Sequence, residues 1–270
     1  MKQMQFILLF LITSFQFISA QTVNKDVAYG NDPKQKMDVY LPQQTKGKTP
    51  AIILIHGGSW IGGDKLNMTH WLKPLQKELP EYAIFDINYR LANKQTVANL
   101  WPAQIDDVDK AVAFVKDKAK EYHINKKQLV LIGESAGAQL ALVEGFIRDP
   151  KHDVRVVVDL FGPADMVDLY KKHHALAGLM NGTPATVPAV YSDASASGHV
   201  DKKSPPTIIF HGTVDRIVPI RESDSLDAKL KNAHVAESYI TYPGKGHGWR
   251  GNEIQDTYSK TIAFIKAQMK

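Results

Sequence analysis

The 270-residue chain predicts an α/β fold: a mostly parallel eight-stranded sheet flanked by helices, with a small insertion between strands 6 and 7. Three observations carry this. Short apolar runs of strand length alternate with longer stretches of helical period, the pattern of parallel strands joined by crossover helices. Several of those runs are apolar throughout, as strands buried on both faces are. The composition is 44% apolar, which supplies one large core without help from cross-links.

Residues 1–20 fall outside the predicted fold. Lys2 is the only charge in MKQMQFILLFLITSFQFISA, residues 6–12 form a short apolar core, and Ala20 offers a small side chain before Gln21. This is the pattern of a secretory signal peptide. Thr13, Ser14 and Gln16 interrupt the run before it reaches the length of a bilayer span. The expectation is therefore export to the periplasm or beyond the cell, with no stable membrane association after leader removal. Residues 21–270 then form a single domain, whose oligomeric state the sequence leaves open. There is no cysteine, so disulfides and thiolate metal sites are excluded.

Two weaker strands open the domain near residues 27–29 and 37–41, separated by the turn residues GNDP. Buried-type strands follow in AIILIHG from Ala51, YAIFDINYR from Tyr82, LVLIGE from Leu129 and VRVVVDLFG from Val154. TIIFHG from Thr207 and ESYITYPG from Glu237 complete the eight. A helix is expected over 68–79, with Pro74 moving its start later. Another spans 101–122, where Ile105, Val108, Val112 and Val115 share a face at spacings of 3, 4 and 3. Further helices begin at Ala136, around 221–232 and around 252–269. Residues 163–206 break the rhythm, with only a short helical signal near 166–180; a connection of that length is usually functional or mobile.

Charge says little about partners. The chain holds 33 basic and 28 acidic residues, and its lysines are scattered, with like-charged runs no longer than pairs such as Lys126-Lys127. That is a solubilising surface rather than a nucleic-acid footprint, so no nucleic-acid partner is expected.

Three segments carry chemistry. GESAG matches G-x-S-x-G, a pattern that a chain of this length meets by chance about once in ten cases, so alone it is weak. Its context is stronger: it joins a β-rich strand to an Ala- and Leu-rich helix. A sharp strand-to-helix turn needs small residues, supplied by Gly133 and Gly137, and presents Ser135 beside the Ala136 amide at a helix N-terminus. The second segment is HGGSWIGGDK from His56, where paired glycines free backbone amides to face an oxyanion. It lacks both the Gly-Lys-Ser/Thr and the G-x-G-x-x-G phosphate patterns. The third is the pair HGTVDRIVP and GKGHGW, which puts Asp215 just after the seventh strand and His247 just after the eighth. A serine hydroxyl needs an imidazole to take its proton and a carboxylate to orient that imidazole.

With these residues in hand, the chain resembles an α/β-hydrolase of the esterase/lipase type. It is most similar to the small carbohydrate-acetyl and feruloyl esterase-like branch with an HGGxW loop. The resemblance covers nearly all of residues 21–270 and includes HGGSW, NYRLA, WPAQIDDV, GESAGAQLA and SPPTIIFHGTVDRIVP. It implies Ser135 as nucleophile, His247 as general base and later acid, and Asp215 as orienting carboxylate. It also implies an oxyanion hole from the amides of Gly58, Ser59 and Ala136. Ser59 stands where the hormone-sensitive-lipase pattern has a further glycine. Trp60 and Trp249, next to the catalytic loops, are candidates to line the substrate pocket.

Other candidates read as structural. His173 and His174 are adjacent in sequence, a poor chelating geometry on a helix, so they are expected at the surface and no metal or other cofactor is expected. His56 and His211 are read as loop braces, Asp64, Asp106 and Asp107 as structural or solvated, and Tyr89-Arg90 as braces near the site by family analogy. The expected activity is hydrolysis of short acyl or aryl esters by two-step acyl transfer, on a small ester or an esterified polysaccharide. An amidase, arylformamidase-like or peptidase-like hydrolase with the same triad is the enzymatic alternative; a non-catalytic hydrolase fold used for binding is the other.

Overall fold

Alternation along the strands sets the layers of the fold, seen in a computed structural model that describes residues 22–42 and 47–269. In β3 (Thr49–Ile55) and β5 (Ile124–Glu134), Ile53, Ile55, Leu129 and Leu131 face one core. Ile52, Leu54, Val130 and Ile132 face the other. Both faces are dry, which is why these strands read as unbroken apolar runs. The expected leader at residues 1–20 lies outside the described residues.

The remaining strands are β1 (Thr22–Ala28), β2 (Lys36–Leu41), β4 (Ala83–Ile87), β6 (Val154–Leu160), β7 (Thr207–Gly212) and β8 (Glu237–Tyr242). They pair in the order β1-β2-β4-β3-β5-β6-β7-β8. Only the β1–β2 and β2–β4 pairings are antiparallel. The sheet is thus eight-stranded and mostly parallel, as the sequence predicts. From β3 the chain moves to β4 on one side, while from β5 it moves to β6 on the other. The carboxyl ends of β3 and β5 therefore flank a topological switch point, where open α/β sheets form a crevice.

Helices cover both faces. The first core packs α2 (Ala103–Asp117), α3 (Ala136–Val143) and α7 (Arg221–Asn232) on one side. The second packs a 3₁₀ segment (Lys65–Trp71), α1 (Leu72–Glu78) and α8 (Asn252–Gln268) on the other. Pro74 is the third residue of α1, where its missing N–H has no intrahelical partner to lose. The chain is already wound as 3₁₀ helix before it, so helical structure starts earlier than Pro74 implies. In the other direction, α2 stops at Asp117 and residues 118–123 turn into β5.

The segment between β6 and β7 holds more structure than its sequence indicates. It carries α4 (Met166–Lys172), α5 (Ala177–Met180) and α6 (Pro188–Ala194), with 3₁₀ turns at His174–Leu176 and Ala196–His199. Leu169, Leu176, Met180 and Tyr191 are buried in the first core, so the insertion is packed down onto the domain. The signal missed for α6 is Pro188 at its first position, a favoured helix start hidden inside a run of turn formers.

Candidate active site

Ser135 stands at the junction of β5 and α3 with φ 54° and ψ −118°, a backbone conformation unfavourable for a residue with a Cβ. What enforces the bend is close approach. A Cβ on Gly133 would lie 2.2 Å from the Gly137 carbonyl oxygen, and one on Gly137 would lie 2.1 Å from that of Ile55. Glycine is required at both places, and the turn is pinned by the Ser135 amide donating to Leu160 O at 2.9 Å. Glu134, between Gly133 and Ser135, accepts from the Trp71 indole at 3.0 Å and so ties the turn to the 3₁₀ segment.

From that bend the Ser135 Oγ lies 2.8 Å from His247 Nε2, and His247 Nδ1 lies 2.7 Å from Asp215 Oδ2. These two bonds select one tautomer: Nδ1–H donates to the carboxylate, leaving the Nε2 lone pair to accept from the serine hydroxyl. The structure thus brings together three residues separated by up to 112 positions in the chain. Asp215 is fully buried. Burial pushes its carboxyl up, but hydrogen bonding with His211 and His247 outweighs that and holds it well below the usual carboxylate range. Its other oxygen accepts from the amides of Ile217 and Val218 at 2.8 and 3.0 Å. A carboxylate held ionised in this way favours the imidazolium that forms if His247 takes a proton.

His211 braces this loop, as its place in HGTVD indicates. Its Nε2–H donates to Val218 O at 3.0 Å and approaches Asp215 Oδ2 at 3.4 Å, while Nδ1 meets the Ser223 hydroxyl at 2.7 Å. Phe161 is a residue the sequence reading missed. It follows β6 and sets its ring edge-on against His247 at 4.6 Å between centroids, fixing the imidazole from the side.

The glycine-rich loop after β3 lies against the serine, since a Cβ on Gly57 would be 3.2 Å from Ser135 Cβ. Gly58, Ser59 and Trp60 all have positive φ, at 119°, 53° and 62°. The turn closes with Ile61 and Gly62 amides donating to Gly58 O at 3.1 and 2.9 Å, leaving the Gly58 and Ser59 amides outside its own bonding. Two successive non-glycine residues at positive φ are costly, so surrounding contacts must hold them. One is the Ala92 amide donating to Trp60 O at 2.8 Å. Another is Gln139, also missed from sequence. Fully buried, it accepts from the Trp60 indole at 3.0 Å and donates to Ala194 O of α6 at 2.8 Å. His56 stacks on Tyr89 at 4.2 Å, and the Tyr89 hydroxyl donates to His56 O at 2.8 Å. Burial lowers the His56 imidazole below its ordinary value. Arg90 forks onto the buried Asp107, so NYR and WPAQIDDV brace each other. Asp64 caps the 3₁₀ segment through the Leu66 amide at 3.0 Å. Asp106 sits in the first turn of α2.

Ser135 opens onto a cavity of about 280 Å³. Ser59, Trp60 and Ile61 form one wall, Ile217 and Val218 another, and Leu169, Leu176 and Leu179 of the insertion a third. Trp60 is therefore at the cavity. Trp249 is not. It lines a separate hollow with His70, Phe161 and Tyr258. The reason is local: Gly248 has φ 94°, and the chain turns toward α8, where the Trp249 indole donates to Thr257 Oγ1 at 2.8 Å and packs on Tyr242. His173, half-buried, also lines the Ser135 cavity, and its Nε2–H donates to Ile217 O at 2.7 Å. Among the described residues, no group of His, Cys, Asp or Glu is arranged to hold a metal, and no helix is long and apolar enough to cross a membrane.

The chain is similar to known proteins in sequence and in fold. The chain is 25% identical to isoprenylcysteine alpha-carbonyl methylesterase ICME of Arabidopsis thaliana over 88% of its own length and 59% of that protein. It is 26% identical to esterase LipC of Mycobacterium tuberculosis (strain ATCC 25618 / H37Rv), over 83% of this chain and 59% of the other. It thus spans little more than half of the curated relatives it matches. Its fold superimposes on a truncated form of a carbohydrate esterase from gut microbiota with a TM-score of 0.78 and 27% identity, covering 92% of this chain and 96% of that one. The model of the BD-FAE family matches residues 37–230, from β2 to the end of α7, and with that match over most of its length the chain belongs to the BD-FAE family, built on the α/β-hydrolase fold.

Proposed function

We propose that the protein is a serine carboxylesterase acting on short-chain acyl or aryl esters, acetyl and feruloyl esters of polysaccharide among them. The observation that carries this reading is the unbroken relay from Asp215 through His247 to Ser135, opening on a small, largely apolar cavity. The esterase names of the relatives support an ester as the electrophile.

In the proposed reaction Ser135 Oγ attacks the ester carbonyl while its proton passes to His247 Nε2. The amides of Gly58, Ser59 and Ala136 hold the oxyanion; a well-aimed donor of this kind is worth about 3–4 kcal/mol. His247 then protonates the departing alkoxide, the alcohol leaves, and an acyl-serine remains. Water, giving its proton to the same nitrogen, attacks the acyl carbon and releases the acid and the serine. Asp215 stays ionised and compensates the imidazolium in each half-reaction.

Substrate size follows from the walls. A cavity of about 280 Å³ has room for an acetyl or a single aromatic acyl group. The leader pattern at residues 1–20 supports export, where polymeric esters are met. An ester panel of graded acyl length tests the proposal, with acetylated xylan, feruloyl esters and a matched anilide included, run beside Ser135→Ala. The expected result is turnover of short or aryl esters and covalent labelling by an organophosphonate, both lost in Ser135→Ala. Preference for long-chain triglycerides over acetyl esters overturns the substrate class. Anilide turnover above that of the ester makes the protein an amidase, and ligand retention without labelling makes it a binding protein.

A further inference from the structure

The walls of the Ser135 cavity carry one cation and no carboxylate. Among its lining residues Lys94 is the only lysine or arginine, and there is no aspartate or glutamate. Lys94 lies in the turn closed by the paired backbone bonds between Asn93 and Ala98, at 2.8 and 3.0 Å. Asn93 Oδ1 stiffens that turn by accepting from the Gln95 and Thr96 amides at 3.0 and 3.1 Å.

The side chain is laid across the insertion in a defined way. Its stem passes Gly178, where a Cβ would lie 3.2 Å from Lys94 Cδ. Its ammonium donates to the Ala175 carbonyl at 3.2 Å. That acceptor is neutral, and among the described residues no carboxylate lies within ion-pair distance of Lys94. The acids nearest in sequence to this wall are occupied elsewhere. Asp168 pairs with Arg221 at 2.6 Å and with Lys171 at 3.4 Å, Asp165 accepts from the amides of Val167 and Asp168, and Asp215 is taken up by His247. A cation next to apolar walls, held in place but without a counterion, is attracted to an anion that a ligand brings.

We propose that this site selects esters that carry a carboxylate close to the scissile bond, with Lys94 as its recognition group. The inference rests on the esterase reading above. The carboxylate can arrive on the acid side, in a half-ester of a dicarboxylic acid, or on the alcohol side, in an esterified sugar acid. The chemistry that Lys94 reads is the same in both.

The test compares kcat/KM for two pairs of substrates. In the acid-side arm, mono-4-nitrophenyl glutarate is set against its methyl-capped counterpart; in the alcohol-side arm, acetylated glucuronic acid is set against acetylated glucose. The expected result is a preference of about tenfold for the anionic member of one pair, expressed in KM and reduced by added salt. In Lys94→Met the ratio falls to about one, and Lys94→Arg restores most of it. A purely structural role, through Ala175, predicts a different result: both members of each pair change together and the ratio holds. That result, or a ratio near one in the unmodified protein, overturns this inference while leaving esterase activity in place. Failure to turn over any ester overturns the esterase reading itself.

Discussion

On one side of the cavity, Ser135 directly follows β5, while Asp215 and His247 sit on the loops that leave β7 and β8. On the other, Leu169, Leu176 and Leu179 come from short helices of the insertion between β6 and β7. The first set is positioned by the sheet: β5 and β7, with buried carboxyl ends, and the neighbouring edge strand β8 bring residues far apart in the chain to separations of 2.7–2.8 Å. The second set is fixed by packing and by a handful of polar ties to α3, α7, the Asp215 loop and the segment from Lys94 to Trp101. The difference separates reaction type from substrate choice. Substitutions at strand ends should abolish turnover, whereas substitutions in the insertion should redirect it.

The largest expected effect breaks the strand-end side. Asp215→Asn keeps the shape but offers an amide where His247 needs an acceptor, and kcat should fall about 10⁴-fold with the fold intact by circular dichroism. A drop below tenfold would mean that another residue orients His247. The next effect lies where the two sides meet. Gln139→Leu removes the acceptor of the Trp60 indole and the donor to Ala194 together. The strained Gly58–Trp60 tract should lose definition, lowering kcat by about 10- to 100-fold with a smaller change in KM. Gln139→Glu should do partly better, since it keeps the acceptor alone.

A smaller and qualitatively different effect belongs to the insertion. Leu179→Trp fills cavity volume, so activity on aryl acyl groups should fall about tenfold relative to acetyl esters. An equal loss on both would show that Leu179 supports the catalytic residues rather than the acyl pocket. The smallest effect concerns how the insertion is anchored. Burial pushes the Glu222 carboxyl up to about 8, against the pull of the Asp165 and Ala164 amides, with the nearby Asp168 charge adding to the rise. A carboxyl with a raised folded-state value binds its proton more tightly folded than unfolded. Folding stability is therefore lost as pH climbs from about 4.5 to about 8. Glu222→Gln keeps an acceptor for both amides and removes that loss. Its melting temperature should exceed that of the unmodified protein by a few degrees at pH 9 and match it near pH 4. Equal melting temperatures at both pH values would remove Glu222 from the account of pH-dependent stability.

The same division governs what the sequence makes legible. GESAG, HGGSW and the strand-end positions of Asp215 and His247 are readable because strained turns and fixed donors demand particular residues at fixed spacing. The sheet is readable because strands buried on both faces have a distinctive composition. Contacts between distant segments leave no such mark. Nothing in the spacing of Phe161, Gln139 or His173 announces that they meet His247, Trp60 and Ile217. Trp249 illustrates the converse. It lies two positions after His247 in sequence, yet the chain turns at Gly248, which has positive φ, and the indole packs toward α8 instead of the Ser135 cavity. The helix α6 is hidden for another reason, since short helices held by tertiary packing need little intrinsic propensity.

The insertion leaves the sheet after β6 and returns at β7, and these two strands are neighbours. Its ends are therefore already together, and lengthening such a loop costs only about 0.6 kcal/mol for each doubling. Such an insertion can change in length and sequence at little cost to the sheet beneath it. The Ala194 carbonyl, which receives the Gln139 amide, is the docking pin that each replacement must reproduce.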